Sequence, residues 1–349
     1  MSEFEISGHR IGSQYEPYII AEMSANHNGD INTAFRIIEE AKKAGADAIK
    51  IQTYTPDTIT LKSDLPDFQI KGGLWDGKTL YELYEWAHTP WEWHKPLFQH
   101  ANKLGITIFS SPFDRTAVDL LEDLNTPAYK IASFEAIDLP LIEYVARTGK
   151  PMIISTGMAD AEEIQEAIDA AKGAGCKELA ILHCVSGYPA PAADYNLQTI
   201  PDMIERFGLV TGLSDHTLDN TTAITSVALG ASIIEKHFTL DRKGGGTDDS
   251  FSLEPAELLA LCRDSKTAWQ ALGKVDYGRK SSEQGNAQFR RSLYFVNDLK
   301  ADTIISKADI KSVRPGYGIE PKHINLLIGK RVKMDIPRYT PVRWEKVEE

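Results

Sequence analysis

Two lysines, two histidines and a set of serines and carboxylates occur at one kind of place in this 349-residue sequence, the carboxyl end of short β-branched runs. They are Glu22, Lys50, Ser111, Lys130, Ser133, Glu135, Ser155, Ser214, His216, Glu235 and His237. His216 and His237 end neighbouring runs, and adjacent strands lie about 5 Å apart, so the two imidazoles can chelate one divalent ion and leave positions open for Lewis-acid catalysis on a carbonyl. Taken singly, each histidine is more often a packed core residue. Lys50 and Lys130 sit inside apolar runs, where an unpaired ammonium is expensive to bury. Three readings stay open for them: a small phosphate- or carboxylate-bearing substrate, structural ion pairs with Glu22, Glu135 or Glu235, and the Schiff-base lysine of a carbonyl lyase.

These residues need a scaffold that gathers strand ends. The eight runs are 18–24, 47–54, 106–111, 128–133, 151–157, 179–186, 209–216 and 232–240, separated by amphipathic stretches such as AFRIIEEAKKAG (34–45). Eight strand–helix units, with no GxGxxG after the first, predict an α/β fold, a (β/α)₈ TIM barrel, with its active site at the strand carboxyl ends. Alternation puts Lys50 with Gln52, Ser214 with His216 and Glu235 with His237 on shared faces. Residues 55–90 form an insertion after the second run. Its neighbourhood holds Trp75, Trp86, Trp91 and Trp93, which predict local packing of the loop, with a sugar-lining role as the lesser reading.

The barrel domain is expected over 1–280 and a linker over 281–290. A small β-rich domain follows over 291–349, with three strand-like stretches and little core of its own. The loop KGGGTDDSFSL (243–253) reads as a solvated turn or as a mobile loop presenting Asp248, with Gly244 to Gly246 giving it freedom.

Lys plus Arg total 38 against 50 Asp plus Glu, a net charge of −12, and no basic run appears, so a nucleic-acid partner is excluded. Composition, 42% hydrophobic and 25% charged, is that of a globular chain. Cys176, Cys184 and Cys262 form no CxxC pair, which predicts neither disulfides nor a cysteine zinc site. With no apolar leader and no run of 18 apolar residues, no membrane partner is expected and the predicted location is cytoplasmic.

The strand-end motifs IAEMSANHNGD (20–30), KIQTYTPDT (50–58), FSSPFD (109–114), YKIASFE (129–135), ISTGM (154–158), GLSDHT (212–217) and IEKHFTLD (234–241) together resemble the sialic acid synthase family, the phosphoenolpyruvate-dependent nonulosonate synthases. SVRPGYG (312–318) is similar to the antifreeze-like (SAF) domain that the family carries. The insertion at 70–94 and the form SFEAID look most like the pseudaminic acid synthase branch.

The resemblance implies a transferase that joins phosphoenolpyruvate to 2,4-diacetamido-2,4,6-trideoxy-L-altrose with water, releasing phosphate. It implies a divalent metal on His216 and His237, manganese foremost and magnesium or cobalt as alternatives. Lys50, Lys130, Ser111, Ser133, Ser155 and Ser214 match phosphoenolpyruvate ligands. Glu22, Tyr188 and Asp248 match sugar ligands, and Glu135 matches a residue that handles the water proton. Arg314 matches an arginine that reaches the partner's site in a domain-swapped homodimer. Ser186 departs from the amide that some members carry. A legionaminic or N-acetylneuraminic acid synthase remains the nearer alternative, and a Schiff-base aldolase or a non-catalytic carbohydrate-binding protein the remote ones.

Overall fold

The computed structural model describes residues 3–348. Each of the eight β-branched runs becomes a strand. After a hairpin of β1 (Phe4–Ile6) and β2 (His9–Ile11) come β3 (Tyr18–Glu22), β4 (Ala48–Thr53), β5 (Thr107–Pro112) and β6 (Tyr129–Ile131). Then follow β7 (Met152–Ser155), β8 (Leu179–Cys184), β9 (Val210–Asp215) and β10 (Ile233–His237). β3 to β10 pair in sequence order, β10 closes back onto β3, and every pair in the closed barrel is parallel. This is the expected TIM barrel.

Period-two alternation decides which side chains of each strand enter the barrel, and the polar ones among them lie at the carboxyl ends. Along β4, Ile49 and Ile51 pack outward with the helices, whereas Ala48 joins the inner cluster. Lys50 and Gln52 therefore share its inward face. In β10 the same parity puts Ile233 in the inner cluster and Ile234 in the outer one, so Glu235 and His237 point inward. The lower half of the barrel is apolar, filled by Ile20, Phe109, Ile153, Leu182 and Ile233.

The amino-terminal hairpin was not expected from sequence. Phe4, Ile6 and Ile11 are buried against those inner residues. Two three-residue strands are too short to carry a readable alternation. Burial of the three side chains is worth about 1.5–3 kcal/mol each.

The outer helices form for local reasons. Helix Ile31–Ala44 starts three residues before the expected stretch because the Asp30 carboxylate accepts from the Asn32 and Thr33 amides, and it stops at Gly45 in the left-handed conformation. Its buried stripe, Ala34, Ile37, Ile38, Ala41 and Ala44, has helical spacing. The insertion folds as helices Pro56–Ile59 and Leu80–Ala87 with a short 3₁₀ turn between them.

The chain divides into two compact units, Met1–Gly273 and Lys274–Glu349. In the second, residues Ser281–Phe289 form an extended 3₁₀ helix, and β11 (Ser292–Phe295) pairs antiparallel with β12 (Ile310–Val313). The third expected strand is reduced to isolated bridges, among them Leu299↔Ile336 and Ile304↔Arg331. The expectation of little core is corrected: Leu293, Phe295, Leu299, Leu327, Val332, Ile336 and Val342 are buried together. Short loops carry many of these residues, so strand periodicity does not reveal them. No helix among the described residues is long and apolar enough to cross a membrane. All three cysteines are free and buried.

Candidate active site

The inward parity of seven strands brings the sequence-selected residues to one end of the barrel. Lys50 Nζ lies 2.6 Å from Glu22 Oε2, 3.7 Å from Glu235 Oε1 and 3.3 Å from Ser111 Oγ, to which it donates. Lys130 Nζ lies 3.6 Å from the same Glu235 oxygen. Ser214 donates to Glu235 at 3.4 Å. The lysines thus have protein carboxylates, Glu22 and Glu235 rather than Glu135. All four charged groups are nearly inaccessible.

Burial sets the protonation of this nest. It pushes Glu22 up to about 7 against the pull of Lys50, whereas for Glu235 the attraction of Lys130 and Lys50 overcomes burial and holds it low. Burial also lowers Lys130, against the pull of Glu235. Lys50 is raised: burial opposes its charge, but Glu22 and Glu235 outweigh it.

The histidines meet as their neighbouring positions predicted, with ring centroids 5.4 Å apart. His216 Nδ1 donates to the Val185 carbonyl at 2.7 Å, which leaves Nε2 as a bare lone pair. Burial lowers His216 to about 4 and His237 well below its ordinary value. Both are neutral, the form in which imidazole binds metal. His237 Nδ1 is buried without a protein hydrogen-bond partner, 3.8 Å from Asp248 Oδ2. Among the described residues no group of three or more His, Cys, Asp or Glu forms a metal cluster. An ion on these two rings would draw its remaining ligands from substrate or water, so the residues fit a catalytic rather than a structural site.

Above the nest opens a cavity of about 430 Å³, lined by Ser133, Glu135, Tyr188, His237 and Asp248 of the predicted set. Glu135 is pushed up to about 7 by burial, and its Oε2 has no protein partner. Ser155 Oγ and Glu235 Oε2 are likewise buried and unpartnered. Folded proteins rarely leave such atoms alone, and their convergence on one end of the barrel marks where ligand atoms belong. Tyr188 lies over the histidines, 4.4 Å from the His216 ring and 6.1 Å from that of His237. Ser186 shares a 2.8 Å hydrogen bond with Ser133 and also lines the cavity. Arg314 is exposed just after β12 in the second unit.

Two expectations about loops change. The 243–253 loop is not a solvated turn. Asp249 is buried and accepts from the Gly246 amide at 2.8 Å and from Asn28 at 3.0 Å, while Ser24 donates to Asp248 at 2.5 Å. Gly244 and Gly246 serve close approach: a Cβ on Gly246 would lie 1.8 Å from Asn28 Oδ1, and one on Gly244 would lie 2.6 Å from Asp249 Oδ2, whereas Gly245, at φ +83° with open space around it, supplies the left-handed backbone of the turn.

The tryptophans divide. Trp91 donates to the Tyr54 carbonyl and Trp93 packs edge-on to His27, as local anchors. Trp86 is largely exposed beneath Lys78. Trp75 instead lines the cavity and donates from Nε1 to the Thr247 carbonyl at 3.1 Å.

Two strand residues to which the resemblance assigned no role also belong to the site. Gln52 lines the cavity and donates to Glu22 at 3.3 Å, and the strand-end candidate Glu235 joins both lysines. Strand parity had put both on the inward face. Tyr54, Ser24 and Thr247 line the cavity too, with no sequence signal beyond their closeness to motifs.

The chain has counterparts among known proteins. The NeuB family model matches residues 37–277, and the SAF domain model matches 290–348. The chain belongs to the NeuB family. Its relatives include the pseudaminic acid synthase of Campylobacter jejuni, 46% identical over 91% of this chain and 93% of that protein. The N,N'-diacetyllegionaminic acid synthase of Legionella pneumophila is 37% identical over 97% and 96%. Among solved structures, the N-acetylneuraminic acid synthetase of Leptospira borgpetersenii superposes with a TM-score of 0.73 at 32% identity, covering 83% of this chain and 96% of that one. This NeuB family member is therefore an enzyme of the sialic-acid-synthase type.

Proposed function

We propose that the protein is a pseudaminic acid synthase, which condenses phosphoenolpyruvate with 2,4-diacetamido-2,4,6-trideoxy-L-altrose and water to give pseudaminic acid and phosphate. The observation that carries this reading is the joint one of 46% identity to a protein of that name and a barrel mouth with two buried lysines, two neutral imidazoles and unpartnered serine and carboxylate oxygens.

In this reading Lys50 and Lys130 hold the anionic groups of phosphoenolpyruvate, with the hydroxyls of Ser111, Ser133, Ser155 and Ser214 supplying directional bonds. Glu22, Tyr188 and Asp248 orient the open-chain sugar so that its aldehyde faces carbon 3 of phosphoenolpyruvate. A new carbon–carbon bond forms there, water adds at carbon 2, and the carbon–oxygen bond to phosphate breaks. Glu135, with a carboxyl near 7, takes up the proton of that water. His216 and His237 hold a divalent ion, manganese by preference and magnesium or cobalt as substitutes, which when bound polarises the aldehyde oxygen. Arg314 completes the site of the partner protomer in a domain-swapped homodimer. The enzyme works in the cytoplasm.

The 37% identity to a legionaminic acid synthase supports the runner-up, the same chemistry on a different diacetamido sugar. Phosphate release with the altrose, the corresponding mannose and N-acetylmannosamine, with product masses, separates the candidates. Equal or better turnover of N-acetylmannosamine would sink the pseudaminic reading. Undiminished activity after exhaustive chelation would remove the metal from it.

A further inference from the structure

Each histidine of the site is preceded in sequence by a buried charge, and the two charges are of opposite sign. Asp215 comes before His216 and Lys236 before His237, and both are almost wholly inaccessible. Lys236 and Asp215 stand opposite each other in the last rung of the β9–β10 ladder. His237 continues in register with Glu22 of β3, but the ladder between β9 and β10 ends one residue short of His216. The backbone pairing of these two strands therefore does not by itself fix one imidazole against the other.

A side-chain link on the outer face of the barrel spans that gap. Lys236 Nζ lies 2.8 Å from Asp215 Oδ2 and donates to the Thr217 and Asp219 carbonyls, each at 2.8 Å. An ammonium carries three protons, and these three acceptors match them. Asp215 also accepts from the Thr217 amide at 2.9 Å and from the Thr217 hydroxyl at 3.1 Å. The residue before His237 thus grips the chain on both sides of His216, at Asp215 and at Thr217. Stability alone is a poor reason for such a pair. Burying an ammonium and a carboxylate is expensive, and apolar side chains of like volume commonly serve stability as well. What they lack is a directed link between two defined points of the chain.

We propose that Lys236 and Asp215 are positioning residues, a clamp behind the barrel wall that sets the separation and orientation of the His216 and His237 imidazoles and thereby the affinity for a divalent ion. The inference rests on the reading that these rings hold the ion. Their centroids are 5.4 Å apart, and among the described residues no third ligand group completes a cluster with them, so a misplaced ring has no protein ligand to compensate for it.

The test titrates Mn²⁺ calorimetrically into metal-free wild type, His216→Ala and the double variant Asp215→Leu with Lys236→Met, well below the melting midpoint of each. Phosphoenolpyruvate is titrated into the same metal-free proteins. Expected for the double variant is Mn²⁺ binding weaker by roughly 10- to 100-fold, with phosphoenolpyruvate affinity unchanged, since Lys50 and Lys130 stand on other strands. Asp215→Asn keeps the side-chain shape and the carbonyl contacts of Lys236, and should show a smaller loss in the same direction; it carries the comparison if the double variant does not fold. Mn²⁺ binding as tight as that of the wild type in the folded variants overturns the clamp and leaves the metal reading intact. Equal losses for Mn²⁺ and phosphoenolpyruvate would mean a general loosening of the barrel end and also overturn it. Wild-type Mn²⁺ affinity in His216→Ala takes the ion off the histidines and overturns the metal reading and the clamp together.

Discussion

Glu135 is held near 7 by burial, whereas an exposed glutamate titrates near 4.5. Between those values the folded protein keeps a proton that the unfolded chain has released, so stability from this group falls as pH rises through that window. Glu135→Gln removes the titration. It is expected to stabilise the protein by about 1–3 kcal/mol more at pH 8 than at pH 4, read from denaturant midpoints. The same variant should lower kcat by roughly 10²–10⁴-fold and abolish the limb of the pH–rate profile near 7. An equal shift in stability at both pH values would contradict the buried carboxyl. For the histidines, His216→Ala should weaken Mn²⁺ binding to metal-free protein, measured by calorimetry, by at least roughly 100-fold. Its partner ring alone offers one ligand where two converge at 5.4 Å.

Elements bring these groups into place, and two joints between elements are open to test. The 243–253 loop is pinned through Asn28, so Gly246→Ala forces its Cβ against Asn28 Oδ1 and within 2.9 Å of Asp249 Oδ2. The expected result is a loss of about 1–3 kcal/mol in stability and about 10-fold in kcat/KM, as Asp248 moves with the loop. On the outer face of β9 and β10, buried Lys236 lies 2.8 Å from Asp215 and donates to the Thr217 and Asp219 carbonyls at 2.8 Å. Lys236→Met strands the Asp215 carboxylate and should cost about 3–5 kcal/mol in thermal or chemical melts. Adding Asp215→Leu should recover part of that loss. Failure of the pair to recover anything would mean that the carbonyl contacts dominate.

At the scale of the assembled protein, the proposed domain-swapped homodimer assigns Arg314 to the partner's site. If Arg314 serves the other protomer, Arg314→Ala and His216→Ala should each be nearly inactive alone. Co-expressed, they should regain activity, since a mixed dimer contains one complete site. No recovery in isolated mixed dimers would place Arg314 outside the partner's chemistry. The second unit has its own buried core, so Arg314→Ala is expected to leave the melting profile unchanged.

The barrel was legible because its information is local. β-branched runs alternate with helical stripes, and the parity within each run fixes which side chains face inward, so Lys50, Lys130, Ser214 and both histidines could be grouped from sequence. The −12 net charge argued against a nucleic-acid partner while saying nothing about this small cluster of cations. Contacts between residues far apart in the chain carry no such local signature. Glu22 and Glu235 were candidates for pairing with the lysines, but their choice over Glu135 depended on barrel closure. Asn28 meets Asp249 across 221 residues, and Trp75 meets Thr247 across 172. The amino-terminal hairpin found its role as a plug in the same way. Periodicity tells a residue which way to face; only the closed chain brings its distant partner within reach.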